Sequence, residues 1–387
     1  MNKLFAVAAA SVLLLSLAGL TCAHEDKTSQ PGQKVERTMP VDPQATITLC
    51  VASGVLSVRG WDRREVRVRS SDADQIEFRR IDKPMDPNTP ATRIDVMVLD
   101  KTSRANPKLD CQAIADVEMD VPAGSTVQVQ TRDGDISIAG VAGAYAGSQN
   151  GDIMIERVTK LVEAGSVGGS ISLKDSSGRV NLNSAGGGVE AINVRPASAE
   201  DILEVGTVSG DIQLEGIRSP KVLAKTVSGT VIMSGALVKA GNYVFTNMTG
   251  EIVLALPADA SFRLTAKVSD TQDLVSEFPL KFVIESPPSP PGASGVPAPQ
   301  PPPAKQPMQP PAKEKEAIKE KEKSVVKIAP PAKPGPAAKA GPRVAPIVIE
   351  KPPVIAPFVR RIEAICGSGD ALISVASFGG SVHLKKL

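Results

Sequence analysis

Three aspartates recur one place after a glycine, Asp135, Asp152 and Asp211. Carboxylates repeated at one position of a coiling chain can do two kinds of chemistry: in pairs they cleave glycosidic bonds, and with further oxygen donors they hold calcium. The equivalent positions between and after them carry Ser170, Gly188, Thr230 and Glu251, which breaks a carboxylate ladder, and no dense acidic consensus surrounds the three. They are therefore read as corner formers, whose short side chains bond to nearby backbone. A nucleophilic triad needs a positioned base, yet the only histidines are His24 and His383, the second alternating within an expected strand. No two cysteines have metal-ligand spacing. The sequence thus assigns no catalytic, cofactor-binding or metal-binding residue, and the protein is expected not to be an enzyme.

Two further sets of residues could carry function. Arg59, Arg63, Arg64, Arg67, Arg69, Arg79 and Arg80 crowd the N-terminal region, with Arg67 and Arg69 alternating with Val66 and Val68. Such a face could bind anionic polymer or lipid headgroups, or be the wet side of an edge protected by charge. Nucleic acid is not expected of an exported chain, and Trp61 and Phe78 alone among these arginines do not make a series of interleaved aromatics. Beyond Cys22, the chain has Cys50, Cys111 and Cys366, an odd number whose pairing spacing alone does not decide.

The elements that position these residues are written in a repeat. GDISI at Gly134, GDIMI at Gly151, GSISL at Gly169, GGVEA at Gly187, GDIQL at Gly210, GTVIM at Gly229 and GEIVL at Gly250 follow one another at steps of 17, 18, 18, 23, 19 and 21 residues, and GSVHL returns at Gly380. That is the period of a solenoid coil. After each glycine the apolar residues alternate, as in Ile136/Ile138, Ile153/Ile155, Ile171/Leu173, Ile212/Leu214, Val231/Met233 and Ile252/Leu254. Before it they alternate again, as in Val127/Val129, Leu203/Val205 and Val222/Ala224. Each coil is therefore two strands with a glycine at the corner, and stacked coils would bury the alternating residues as aliphatic ladders. Aromatic residues make up only 3% of the chain, which suits a thin core of Ile, Val, Leu, Ala and Thr.

The string ADVEMDVPAGSTVQVQTRDGDISIAGVAG at 115–143, followed by the V-S-G-D-I and V-S-G-T-V phrases, resembles the bacterial adhesin β-strand repeat family, also called the toastrack domain of envelope-stress proteins. SGVLSVRGWDRREVRVRS at 53–70 is similar to that family's opening hairpin, turning at Gly60, Trp61 and Asp62. SFRLTAKVSD at 261–270, EFPL at 277–280 and CGSGDALISVASFGGSVHLKKL at 366–387 are similar to its closing coils. The resemblance spans roughly residues 41–285 and 358–387. Two departures stand out: Asp270 occupies a place where the family usually has a corner glycine, and a Pro-rich insert divides the last two coils. The resemblance implies the fold and an envelope location, with roles in adhesion or envelope stress, and it implies no catalytic residues.

Residues 1–23, with Lys3, an apolar run at 4–20 and the small-residue site at 21–23, have the pattern of a secretory signal; lipidation at Cys22 is the alternative. Residues 24–40 are expected to be disordered, 41–121 to form an N-terminal strand and cap region, 122–285 the solenoid, and 358–387 its closing coil. Residues 286–357 are of another kind: 287–357 hold 21 of the 33 prolines and the run KEKEAIKEKEK at 313–323, with eleven Lys/Arg against five Asp/Glu. Proline lacks an amide donor, so this stretch favours solvated polyproline II and disorder. The expected architecture is all-β: a single parallel β-solenoid with an N-terminal β-hairpin cap and a disordered Pro-rich insert. The expected function is that of an exported scaffold or adhesive surface of the bacterial cell envelope, in the periplasm or at the cell surface. Its partners would be a cell-wall polymer, a surface glycan or an envelope protein, with membrane proximity possible through an anchor; the alternative is an envelope-stress sensing module.

Overall fold

The computed structural model describes residues 34–82, 89–100, 111–269, 273–283 and 359–387. The expectations for the signal segment, Cys22, His24, Asp270 and the Pro-rich insert lie outside the described residues; of the segment 24–40 expected to be disordered, residues 35–40 are instead strand, paired antiparallel with Glu65–Ser70. Within them every regular element is a strand, from Val35–Ser53 to Val382–Lys386.

Each coil contributes one strand to each of two sheets. The strand before the corner glycine enters a long-strand sheet, and the four- or five-residue strand after it enters a short-strand sheet. In the short-strand sheet Ile136–Ala139, Ile153–Glu156, Ile171–Lys174, Val189–Ile192, Ile212–Glu215, Val231–Ser234 and Ile252–Leu256 stack in parallel and in register. The long-strand sheet stacks Thr126–Asp133, Gly143–Ser148, Leu161–Ser166, Arg179–Ser184, Ile202–Gly206, Lys221–Ser228 and Asn242–Thr249 in the same way. Because strand side chains alternate, register fixes which residues meet. The aliphatic pairs form the expected ladders, with Ile136, Ile138, Ile153, Ile155, Ile171, Leu173, Ile212, Leu214, Val231, Met233, Ile252 and Leu254 all at most 1% exposed.

Both ends depart from simple stacking. Residues 53–70 do not form a hairpin. Leu56–Trp61 lies between Val117–Pro122 and Ile136–Ala139, parallel to both, while Glu65–Ser70 pairs antiparallel with Val117–Pro122 and with the start of Val35–Ser53. The Gly60-Trp61-Asp62 turn therefore splits two strands around a third. The antiparallel pair that closes this end is Gln75–Arg80 with Ala91–Leu99, so the hairpin cap sits on the long-strand sheet, later in the chain.

At the other end the strands after the insert are not the last coil. Ala371–Ser377 lies between Asn242–Thr249 and Phe262–Ser269, and Val382–Lys386 lies between Ile252–Leu256 and Leu274–Ser276. The C-terminal coil is thus penultimate, threaded between two coils that precede it in sequence. The outer closure is made by Val359–Cys366, antiparallel to Phe262–Ser269, with Lys281–Phe282 added beyond it. The larger side chains gather here: Tyr243, Phe245 and Phe262 are buried, and Phe262 meets Phe278 edge to face with centroids 5.5 Å apart.

Cys50 and Cys111 form a disulfide, and Cys366 is a buried thiol whose acidity burial pushes down, its pKa going up. The bridge ties Val35–Ser53 to the end of the cap excursion, 61 residues away. Loop-closure entropy gives such a link about 2–4 kcal/mol. The double variant Cys50→Ala/Cys111→Ala is expected to lose stability of that order in equilibrium urea unfolding, with the far C-terminal coils unaffected in local hydrogen exchange because coils in a solenoid couple chiefly to their neighbours.

Candidate functional site

The corner where the aspartates sit is built from three sets of backbone bonds. The corner glycines form one continuous column: a Cβ on Gly134, Gly151, Gly169, Gly187, Gly210, Gly229, Gly250 or Gly380 would overlap the carbonyl oxygen of the previous glycine in the stack, beginning with Gly54. Three residues before them runs a column of buried polar side chains that donate to those same carbonyls. Ser148 Oγ bonds to Gly134 O at 3.2 Å, Ser166 to Gly151 at 3.1 Å, Ser184 to Gly169 at 2.8 Å, Thr207 to Gly187 at 2.9 Å and Thr226 to Gly210 at 3.2 Å. Asn247 Nδ2 continues the series to Gly229 O at 2.7 Å. Replacing Thr207, fully buried, with valine keeps the shape and leaves the Gly187 carbonyl without this donor. We expect Thr207→Val to lower the unfolding free energy by about 1–3 kcal/mol in denaturant titration.

One residue after the glycine, the aspartates complete the corner. Asp135 Oδ1 accepts the backbone N–H of Asp152 at 2.9 Å, Asp152 Oδ1 that of Ser170 at 2.8 Å, and Asp211 Oδ1 that of Thr230 at 2.7 Å. Asp116 does the same for Val55 at 2.8 Å. Their carboxylates serve the fold, stitching each coil to the next. Asp211 lies three strand spacings, about 14 Å, from Asp152, while Asp135 and Asp152, on adjacent coils, each spend a carboxylate oxygen on a backbone N–H of the next coil. The opposite corner is a left-handed position shared by Gly140, Arg157, Asp175, Asn193 and Gly216, with φ between 49° and 72°.

The arginines separate into two groups. Arg59, Arg63, Arg67 and Arg69, with Arg64 exposed in the turn between their strands, lie near one another at the N-terminal end of the short-strand sheet, whereas Arg79 and Arg80 belong to the cap of the other sheet. Val66 and Val68 are fully buried, so Arg67 and Arg69 point outward as the alternation implies. They meet acids. Asp120, 8% exposed, takes Arg67 through Nε at 3.0 Å and Nη2 at 2.8 Å, and Arg69 at 3.1 Å; Glu118 takes Arg69 at 3.1 Å and Lys34 at 3.4 Å. Arg63 and Arg67 both stack on Trp61, at 5.0 and 4.8 Å from its ring centroid, while the indole N–H donates to Glu65 O. In the other group the Arg80 guanidinium, with the Thr92 amide and hydroxyl, holds the Asp82 carboxyl well below the usual carboxylate range. The patch is largely an internally neutralised network.

His383 is less isolated than its place in the sequence suggests. Its Nε2 lies 3.0 Å from Ser381 Oγ and 3.0 Å from Glu251 Oε1. A relay from hydroxyl to carboxylate needs the two partners on different ring nitrogens; here both share one. Among the described residues no three His, Cys, Asp or Glu side chains gather as metal ligands, and no helix is long and apolar enough to cross a membrane.

What sequence reading missed is a face of the long-strand sheet. Thr48, Gln128, Tyr145, Glu163, Asn181 and Glu204 stand in register across successive coils. The adjoining row is Gln130, Gly147, Gly165, Asn183 and Gly206. The alternation was legible, but the row appears only once the coil lengths have been set in register. The Tyr145 ring stands between Gln128 and Glu163, about 4.8 Å to either side, and the row offers polar groups of varied chemistry at a constant spacing along the stack.

The fold and these corners define a parallel β-solenoid of stacked two-strand coils. The profile of the Toastrack DUF4097 family matches residues 56–283, and the chain belongs to that family. Among solved structures it is similar to a "putative cell adhesion protein" of Clostridium sporogenes, at 10% identity, covering 92% of this chain and 100% of that one with a TM-score of 0.20. It is also similar to a "putative adhesin" of Parabacteroides merdae, at 8% identity, covering 58% of this chain and 90% of that one with a TM-score of 0.37. Likenesses of this size carry no functional information. No curated protein matches the chain.

Proposed function

We propose that the protein is an exported, non-enzymatic scaffold of the bacterial cell envelope, and that the long-strand face binds an extended polymer, a surface glycan or cell-wall strand lying along the stack. The in-register row of Gln128, Tyr145, Glu163, Asn181 and Glu204 carries this reading. Its spacing places a polar or aromatic side chain at each coil, about 4.8 Å apart, which suits a ligand extended along the stack. The Cys50–Cys111 disulfide supports an oxidising compartment. The three corner aspartates are engaged with backbone, and Arg63, Arg67, Arg69, Arg79 and Arg80 with acids.

Binding of the purified protein to isolated cell-wall sacculi and to a glycan array tests the reading. We expect retention that Tyr145→Ala and Asn181→Ala each weaken about tenfold, roughly 1.4 kcal/mol, while the melting temperature holds within about 2 °C. Retention unchanged in both variants, or no retention on any polymer, would contradict it.

A further inference from the structure

The outer face of the short-strand sheet carries one continuous trough. At its N-terminal end a cavity of about 350 Å³ is lined by Ser57, Glu118 and Arg69, with Lys34 and Arg59 beside them. A second cavity, of about 520 Å³, is lined by Ser137, Met154, Ser172, Glu190 and Gln213. Val55, 51% exposed, lines both and joins them. The two sets of side chains form one row in register. Glu118 stands between Arg69 and Ser57, Ser57 meets Ser137, and the row runs unbroken to Gln213. It crosses eight strands, about 34 Å at the usual spacing.

The two ends of the trough differ in chemistry. Arg59 is exposed and, unlike Arg67 and Arg69 nearby, has no ion pair or hydrogen bond among the described residues. The charged groups lining the longer cavity are all carboxylates. Glu190 is paired with Lys174 at 3.5 Å, whereas Asp135, Asp152 and Asp211 meet no cation. Each of these aspartates spends Oδ1 on the backbone of the next coil and keeps its second oxygen unbonded. The hydroxyls of Ser137 and Ser170 and the Gln213 amide are unbonded as well, and Met154, 48% exposed, adds apolar surface between them.

This arrangement selects among ligands. Carboxylates without a counter-charge repel an anionic polymer and attract cationic groups. A single metal ion would need them to converge, and no three do among the described residues. An unpaired arginine at the far end can hold a carboxylate through two parallel N–H bonds. Exposed thioether and hydroxyls between the ends suit the aliphatic stems of lysines and the polar groups of an extended backbone.

We propose that the trough docks an extended basic peptide running along the stack, its carboxyl terminus at Arg59 and its cationic side chains over Asp135, Asp152 and Asp211. A span of about 34 Å accommodates roughly ten extended residues. The site lies on the other sheet from the polymer-binding face, so the inference goes beyond that reading and does not depend on it.

Fluorescence anisotropy with the full-length protein at low salt tests it. The probe is a ten-residue peptide of alternating serine and lysine, labelled at its N-terminus and ending in a free carboxylate. It is expected to bind, and its glutamate-for-lysine counterpart is not. Asp152→Asn/Asp211→Asn keeps both Oδ1 acceptors for the backbone, removes two charges and is expected to weaken the probe about fivefold. Asp259→Asn, at an exposed acid outside the trough, is expected to change nothing. Arg59→Gln is expected to weaken the free-acid probe about threefold and to leave an amidated probe unaffected, a split that general attraction between a basic peptide and acids does not produce. Met154→Arg, at an exposed position within the trough, is expected to abolish binding while the melting temperature holds. The proposal is overturned if probe and glutamate counterpart bind alike, if the double variant binds no more weakly than Asp259→Asn, or if Arg59→Gln acts equally on both forms of the probe. Binding of a neutral hexose oligomer that Met154→Arg abolishes, with no binding of the peptide, would assign the trough to a glycan and overturn it too.

Discussion

Gly229→Ala is expected to lower the unfolding free energy by about 3 kcal/mol or more, placing it among the most damaging single substitutions available to this chain. The glycine has φ of +145°, and an added Cβ would overlap the Gly210 carbonyl, which the hydroxyl of Thr226 also engages. The Gly210 backbone is held in place by its N–H bond to Ser228 O at 3.0 Å and that of Ile212 to Thr230 O at 2.8 Å, so the carbonyl has little room to yield. Gly165→Ala is the matched control. It lies mid-strand with only the Asn183 carbonyl oxygen near its added Cβ, at 3.9 Å, so alanine is expected to be neutral or to stabilise by up to about 1 kcal/mol, the usual gain on removing glycine from a strand. Urea titration of the two variants beside the parent reads the difference. Equal effects at both positions would mean that close packing of the coils does not explain the glycine column.

Ending the chain after Val283 is expected to produce aggregation, or a fall in melting temperature of at least about 10 °C. The cut removes Ile373, Val375, Val382 and Leu384 from the core, each worth roughly 1.5–3 kcal/mol of burial. It also leaves two facing pairs of strand edges open, and open edges recruit other chains. Replacing residues 286–357 by a short Gly/Ser bridge should instead leave the melting temperature unchanged or slightly raised, because closure depends only weakly on loop length, about 0.6 kcal/mol per doubling. Thermal unfolding with light scattering distinguishes the two. A truncated chain that melts like the parent would show that the threaded coil contributes no stability.

The middle of the molecule was legible in the sequence because one rule governs it: Gly134 to Gly250 recur at a coil's length, and Ile136/Ile138 through Ile252/Leu254 alternate between core and solvent without exception. The corner role of Asp135, Asp152 and Asp211 followed from the residue type, since a short carboxylate beside a turn finds an amide. The buried polar column of Thr207 and Asn247 was not legible, because the partner of each is a carbonyl in another coil and only stacking reveals it. The ends were misread for a single reason. Periodicity shows that a segment is a coil, whereas the order in which coils stack is a long-range choice, so neither Val117–Pro122 between Leu56–Trp61 and Glu65–Ser70 nor Ala371–Ser377 as a penultimate strand could be read from spacing. The arginines were visible in sequence, and their acids, Glu118 and Asp120, lay some fifty residues away.

Native-state amide hydrogen exchange, resolved by segment, tests the stacked and threaded solenoid most directly. Protection in a solenoid follows a strand's place in the stack rather than its place in the chain. The account predicts that Ala371–Ser377, close to the C-terminus, exchanges as slowly as Asn242–Thr249, with both far slower than the edge strand Leu274–Ser276. Exchange of Ala371–Ser377 as fast as that of the edge strand would contradict it.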